Sequence, residues 1–259
     1  TCIYTTQWQP VSACMPAPEM IKEVFDESHL RNTNSDDMDA IDRAEEVLED
    51  IEGVCASYIK NALENVPEEQ RCKGQSYEKY IARFEAIATD ATVKSIPHDR
   101  IPDMIEVIRD HCPELDAELS LMKSLGEALP DTFRDPQVAV PIMFSPEGLD
   151  RYFYDSLSTR IHYKSLAEAV YKLVSTSLKQ KRVVRVLELG ARIGGLTRFI
   201  VELLKEFGFA NQLEYVFTDV SATFFKQAQD NLSMYPFIQY KQLDIEKDIA
   251  EQGFLPGSF

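Results

Sequence analysis

The chain has 259 residues, 44% of them hydrophobic and 27% charged, which excludes a disordered or collagen-like chain and leaves room for one large or two modest domains. Its net charge of −16 excludes a nonspecific nucleic-acid binder or an anionic-membrane surface, because both depend on Lys and Arg neutralising phosphates. No window carries the roughly 18 apolar residues that a bilayer span needs, and Thr1–Trp8 lacks the basic and apolar regions of a signal peptide.

The charge is uneven along the chain: residues 1–150 hold 31 acidic and 13 basic residues, residues 151–259 hold 12 and 14. That step predicts two regions of different character. The start has no initiator Met, so a processed or excised piece is expected. Residues 1–15, with Trp8 and Pro10, read as an extended linker.

Helical periodicity then dominates residues 16–145. Asn34-Ser35-Asp36-Asp37 is a cap signature. It opens an apolar face running from Met38 through Val47 and Val54 to Leu63, predicted as one helix of about seven turns ended by Val66-Pro67. Further helices are predicted at 77–89 (Tyr77, Tyr80, Ile81, Phe84, Ile87), 101–110 and 114–128. The acids among them read as solvated helix faces. Thr132 to Pro146, with Pro136 and Pro141, reads as a loop.

From residue 146 the pattern changes. A helix over 157–180 carries Leu166, Val170 and Val174 on one face. Val183–Leu189 is a short β-branched run followed by Gly190, a buried strand by composition. Gly194-Gly195 opens a helix with Phe199, Ile200, Leu203, Leu204 and Phe207 inward, closed by Gly208. Leu213–Asp219 is a second strand, Ser221 caps the next helix, and Phe237–Leu243 is a third strand. Strand, helix, strand, helix, strand predicts an α/β fold: the first half of a doubly wound parallel sheet, with 183–189 central. A half-sheet leaves an open face, so the natural protein is expected to continue past Phe259.

Parallel sheets of this kind bind ligands outside the carboxyl ends of their strands. Three features fall there. Glu188, Gly190, Arg192, Gly194 and Gly195 form the turn after strand one, where glycines admit a ligand to the backbone and the following helix attracts negative charge. Asp219 ends strand two, where an acid accepts hydrogen bonds from ribose hydroxyls. Asp244 and Ile245 follow strand three, where an adenine ring is flanked. Each alone also reads as turn or cap chemistry. Cys2, Cys14, Cys55, Cys72 and Cys112 form no C-x-x-C, and His29, His98, His111 and His162 are scattered, so no metal site is expected. An odd, sparse set of cysteines fits reduced thiols in the cytoplasm.

Val186–Arg198 resembles motif I of S-adenosylmethionine-dependent C-methyltransferase domains of polyketide synthases. Tyr215–Gln229 resembles their second motif, and Tyr240–Asp248 with Glu251–Phe259 the third. The helical region resembles the family's lid subdomain, and Trp8-Gln-Pro10 the linker after a dehydratase domain. The resemblance implies a Rossmann-like methyltransferase core with an N-terminal all-helical lid. It implies S-adenosylmethionine held by Glu188, Gly190, Gly194, Gly195, Asp219, Asp244 and Ile245. It also implies a homodimeric synthase whose neighbouring domains and acyl carrier protein are the partners, and it assigns no catalytic residue within these 259. Arg192 departs from the pattern, where the family has Gly. Two functions follow. One is a degenerate, non-methylating structural domain of a reducing polyketide or animal-type fatty acid synthase. The other is an active C-methyltransferase acting on the α-carbon of a β-ketoacyl chain on carrier-protein phosphopantetheine. A nicotinamide-binding domain using Gly190 and Gly195 is a third reading, opposed by Glu188 just before the turn and Leu243-Asp244-Ile245 at strand three.

Overall fold

The computed structural model describes residues 35–259 except Ser95, Gln180, Arg182 and Pro256. The linker expected at 1–15, residues 16–34 of the helical region and the Asn34 cap lie outside the described residues. The chain forms two compact units. In the described residues, one is helical and comprises 35–164 with Ile193–Leu196. The other comprises 165–192 and 197–259 and contains a sheet.

In the helical unit, α1 (Ser35–Glu46) and α2 (Leu48–Asn65) replace the single long helix expected from the apolar pattern. The break is at Val47, which has φ −103° and ψ 4°. No Gly or Pro marks it. Val47 is buried in one cluster with Ala40 and Val54, so packing imposes the bend. The inward face also differs from the expected one. Met38, expected on the apolar face, is 43% exposed, whereas Asp37 is only 3% exposed. The buried Asp37 carboxylate pairs with Lys164 and, at 3.5 Å, with Arg160.

The remaining helices follow their apolar spacing. α3 (Gln75–Thr89) starts after Gly74, whose φ of +142° suits glycine. In α4 (Ile101–His111), Ile101, Ile105 and Ile108 are all buried at a helical spacing and meet Tyr58 of α2 and Leu119 of α5 (Asp116–Glu127). The loop expected over 132–146 is instead a chain of short helical pieces. These are α6 (Leu129–Arg134), a 3₁₀ turn (Pro136–Val138) and α7 (Ala139–Met143), followed by a turn at Pro146–Asp150 and α8 (Arg151–Asp155). The prolines explain the difference. Pro130, Pro136 and Pro146 all lie in first turns, where the missing N–H has no helical partner to lose.

In α9 (Leu157–Leu178), residues to Lys164 group with the helical unit and those from Ser165 with the sheet unit. The sheet comprises β1 (Val184–Glu188), β2 (Leu213–Asp219) and β3 (Ile238–Gln242), all parallel, in the order β1-β2-β3. The expectation that 183–189 is central is therefore corrected. Both crossovers step in the same direction, so β2 is the middle strand of the three. Its burial agrees: Tyr215, Val216, Phe217, Thr218 and Asp219 are all buried. α10 (Thr197–Phe209) turns Ile200, Val201 and Leu204 inward, while Leu203, expected inward, is 41% exposed. Gly208 lies inside α10 rather than closing it, because a Cβ there would stand 2.6 Å from the Phe237 ring. Asn211, at φ +55°, takes the left-handed position after the helix. After β2, a 3₁₀ turn (Ala222–Phe224) leads into α11 (Phe225–Asn231).

The packing of the helical unit yields a test at Gly126 in α5. A Cβ there would meet the buried Tyr58 ring at 2.3 Å. Alanine gains about 1 kcal/mol in helix propensity, but overpacking costs about 1–3 kcal/mol. With Tyr58 enclosed, the steric cost wins. Gly126→Ala is expected to lower unfolding free energy by about 1–2 kcal/mol in denaturant titration, and an unchanged midpoint would refute the contact.

Candidate functional site

The carboxyl end of the sheet is laced by backbone and short polar side chains. The register sets Glu188 beside Phe217 and Asp219 beside Gln242. Thr218 donates its hydroxyl to the Glu188 carbonyl at 2.6 Å, and the Ala191 amide donates to the Thr218 carbonyl at 2.9 Å. The turn after β1 is thus tied to the end of β2 before any ligand is considered.

Asp219 is buried, and both of its carboxylate oxygens accept backbone amides. Oδ2 takes the Arg192 N–H at 2.9 Å and Oδ1 the Ser221 N–H at 2.9 Å. The Asp219 carbonyl also accepts the Leu243 amide at 3.0 Å. The residue expected to accept ribose hydroxyls therefore clamps two loops. The cap expected of Ser221 does not form: its side chain accepts no helix amide, and its hydroxyl instead meets that of Thr223 at 2.6 Å.

Glu188 is enclosed at the end of β1. Its Oε2 accepts the Thr197 hydroxyl at 2.7 Å and the Tyr215 hydroxyl at 2.8 Å. Burial raises its carboxyl above the usual range, opposed by those two hydrogen bonds. The same burial, with the Glu188 charge, pushes Tyr215 well above an ordinary phenol. Thr197 and Tyr215 were not among the sequence candidates. Their signal is a polar hydroxyl at inward positions of an otherwise apolar helix and strand.

The turn glycines have separate roles. Gly190 (φ +68°) faces open space, with nothing within 4 Å of a Cβ built on it. Gly194 has φ +89°. Gly195 is required by packing within the helical unit, since a Cβ would stand 2.5 Å from the Phe153 carbonyl oxygen. Arg192 has φ +51°, a left-handed conformation that costs a non-glycine residue about 1–2 kcal/mol. Its amide is held by Asp219, and its guanidinium carbon lies 5.5 Å from the centre of the Phe224 ring.

Asp244 caps the turn after β3. It accepts the Glu246 amide at 3.0 Å and pairs with Lys247 at 2.9 Å, which together hold its carboxyl below the usual range. An exposed apolar residue follows each strand: Leu189 at 54%, Val220 at 57% and Ile245 at 64%. Among the described residues no group of three His, Cys, Asp or Glu gathers as a metal site, and no helix is long and apolar enough to cross a membrane.

Two outcomes follow from this geometry. Asp219→Asn replaces one acceptor oxygen with an NH2 facing a buried amide, so a loss of about 1–3 kcal/mol in unfolding free energy is expected from denaturant titration. Glu188, with its folded pKa raised, favours the protonated form in the native state. Its contribution is full below the ordinary value of 4.5 and is lost as pH rises through the folded pKa. Glu188→Gln should therefore flatten the decline in stability above pH 4.5, and an unaltered pH profile would show that Glu188 is ionised without penalty.

No family model matches the chain. A polyketide synthase-nonribosomal peptide synthetase of Aspergillus clavatus is 29% identical over 242 residues, covering 90% of this chain and 6% of that protein. The chain thus spans about a seventeenth of the length of this curated relative. The C-methyltransferase domain of the citrinin polyketide synthase superposes with a TM-score of 0.69 at 20% identity, covering 88% of this chain and 67% of that one. The trans-methyltransferase CalH, solved in complex with SAH, gives 0.63 at 20% identity, covering 82% and 60%. The homologues of this chain are polyketide synthases, and its fold is the one that polyketide synthase carbon-methyltransferase domains adopt.

Proposed function

We propose that this chain is the methyltransferase-like segment of a polyketide synthase and that its S-adenosylmethionine site is degenerate. The domain then serves as a structural spacer between neighbouring synthase domains in a cytoplasmic, homodimeric megasynthase with its own acyl carrier protein. The observation that carries this reading is Arg192, a bulky cation at a left-handed position where the resemblance calls for glycine.

The residues present do not fit the whole cofactor. On the methionine side, a side chain leaves the backbone at Arg192, where a close-approaching ligand needs none. Repulsion between Arg192 and a cofactor cation about 4 Å away is roughly 1 kcal/mol in water and about 4 at an effective dielectric of 20. The cofactor's own carboxylate offsets part of that, so sterics form the stronger half of the argument. Glu188 is already engaged by the Thr197 and Tyr215 hydroxyls.

A second reading, an active C-methyltransferase, is favoured by the exposed trio Leu189, Val220 and Ile245, which offers an apolar seat for an adenine ring. Titration calorimetry on the intact synthase discriminates the two. The wild type is expected to give no heat with S-adenosylmethionine or S-adenosylhomocysteine, and Arg192→Gly is expected to gain binding. Micromolar binding by the wild type, unchanged in Arg192→Gly, would establish the active reading.

A further inference from the structure

The helical unit has a concavity beside α3. α3 has an apolar face of Tyr77, Tyr80, Ile81 and Phe84, yet Tyr77 and Tyr80 are 39% and 65% exposed. Phe84 stacks on Phe133 with ring centres 5.6 Å apart. Beside that pair, between α3 and α6, lies a cavity of about 180 Å³ walled also by Leu129 and Cys72. For scale, an apolar cavity of about 150 Å³ stays dry and binds benzene or xenon.

None of the residues lining this cavity is charged. The Thr132 hydroxyl in its wall donates to the Ala128 carbonyl of its own helix at 2.9 Å, and the Cys72 amide donates to the Phe133 carbonyl at 2.7 Å. Water there finds few partners, whereas a hydrocarbon finds aromatic and aliphatic walls.

A second, polar cavity of about 370 Å³ shares Cys72 and Ile81 with the first. Its charged residues are Glu68, Arg71, Lys73, Glu78 and Glu85. Arg71 is spent on Glu85 at 3.2 Å and on the carbonyls of Val66 and Leu63. What remains is Lys73 against Glu68 and Glu78, a balance that disfavours an anion. We propose that these adjoining cavities, with Cys72 and Ile81 in both walls, bind an aliphatic chain with an uncharged polar head: the tail lies against Ile81, Phe84 and Leu129, and the head lies in the outer cavity. This site does not rest on the state of the cofactor site.

Cys72 lines both cavities, so its thiol reports occupancy. The experiment follows its alkylation by N-ethylmaleimide with residue-resolved mass spectrometry on the full chain, with octanamide as the probe. At ten times its Kd, octanamide is expected to slow Cys72 alkylation about tenfold, with acetamide inert and octanoate weaker than octanamide. Ile81→Trp, which fills the apolar cavity, should abolish the protection. Leu129→Phe fills it from α6 and serves if Ile81→Trp does not fold. The proposal is overturned by absence of slowing, by slowing that persists in the filled variant, or by octanoate protecting as well as octanamide.

Discussion

The carboxyl end of the sheet depends on one buried carboxylate. Asp219 ends the middle strand and holds the amide of Arg192 from one loop and that of Ser221 from another. A hydrogen bond to a charged group is stronger than a neutral one, and an orphaned buried amide is costly. The left-handed turn at Arg192 is therefore supported from outside itself. A residue that would otherwise relax out of that conformation is kept there by a partner 27 positions along the chain. That support makes it physically possible for a non-glycine residue to occupy a glycine position.

The same economy runs through the rest of the site. Glu188 is held by Thr197 and Tyr215, Ala191 by Thr218, and Asp244 by Glu246 and Lys247. These polar groups each have a partner within the protein. What stays available is apolar: Leu189, Val220 and Ile245 stand in solvent after the three strands. Around this site lies the fold shared with about two thirds of a carbon-methyltransferase domain.

In the helical unit, stability and openness are divided between helices. Ile101, Ile105 and Ile108 of α4 are sealed against Val54, Tyr58 and Leu119. α3 is seated only partly, on Phe133, Leu129 and their neighbours, and cavities flank it. An amphipathic helix gains its stability from burying its apolar face. One that leaves Tyr80 mostly in water keeps part of that face for other contacts.

Strong local signals were legible in the chain itself. Helical periodicity placed α4 at 101–110, the β-branched run before Gly190 placed β1, and Leu213–Asp219 matched β2 residue for residue. Periodicity and composition are local, so they survive without coordinates. Other features were decided only by tertiary structure. The bend at Val47 comes from packing, with no breaker residue to mark it. The short helices of 129–155 arise because prolines start helices as readily as they end them. The central position of β2 depends on the direction of two crossovers, which no strand encodes alone. Asp219 was singled out from its place at a strand end, but what its oxygens hold depends on loops brought from elsewhere in the chain. Sequence determines which groups are present and their local geometry, while long-range packing decides which of those groups still have bonds to offer a ligand.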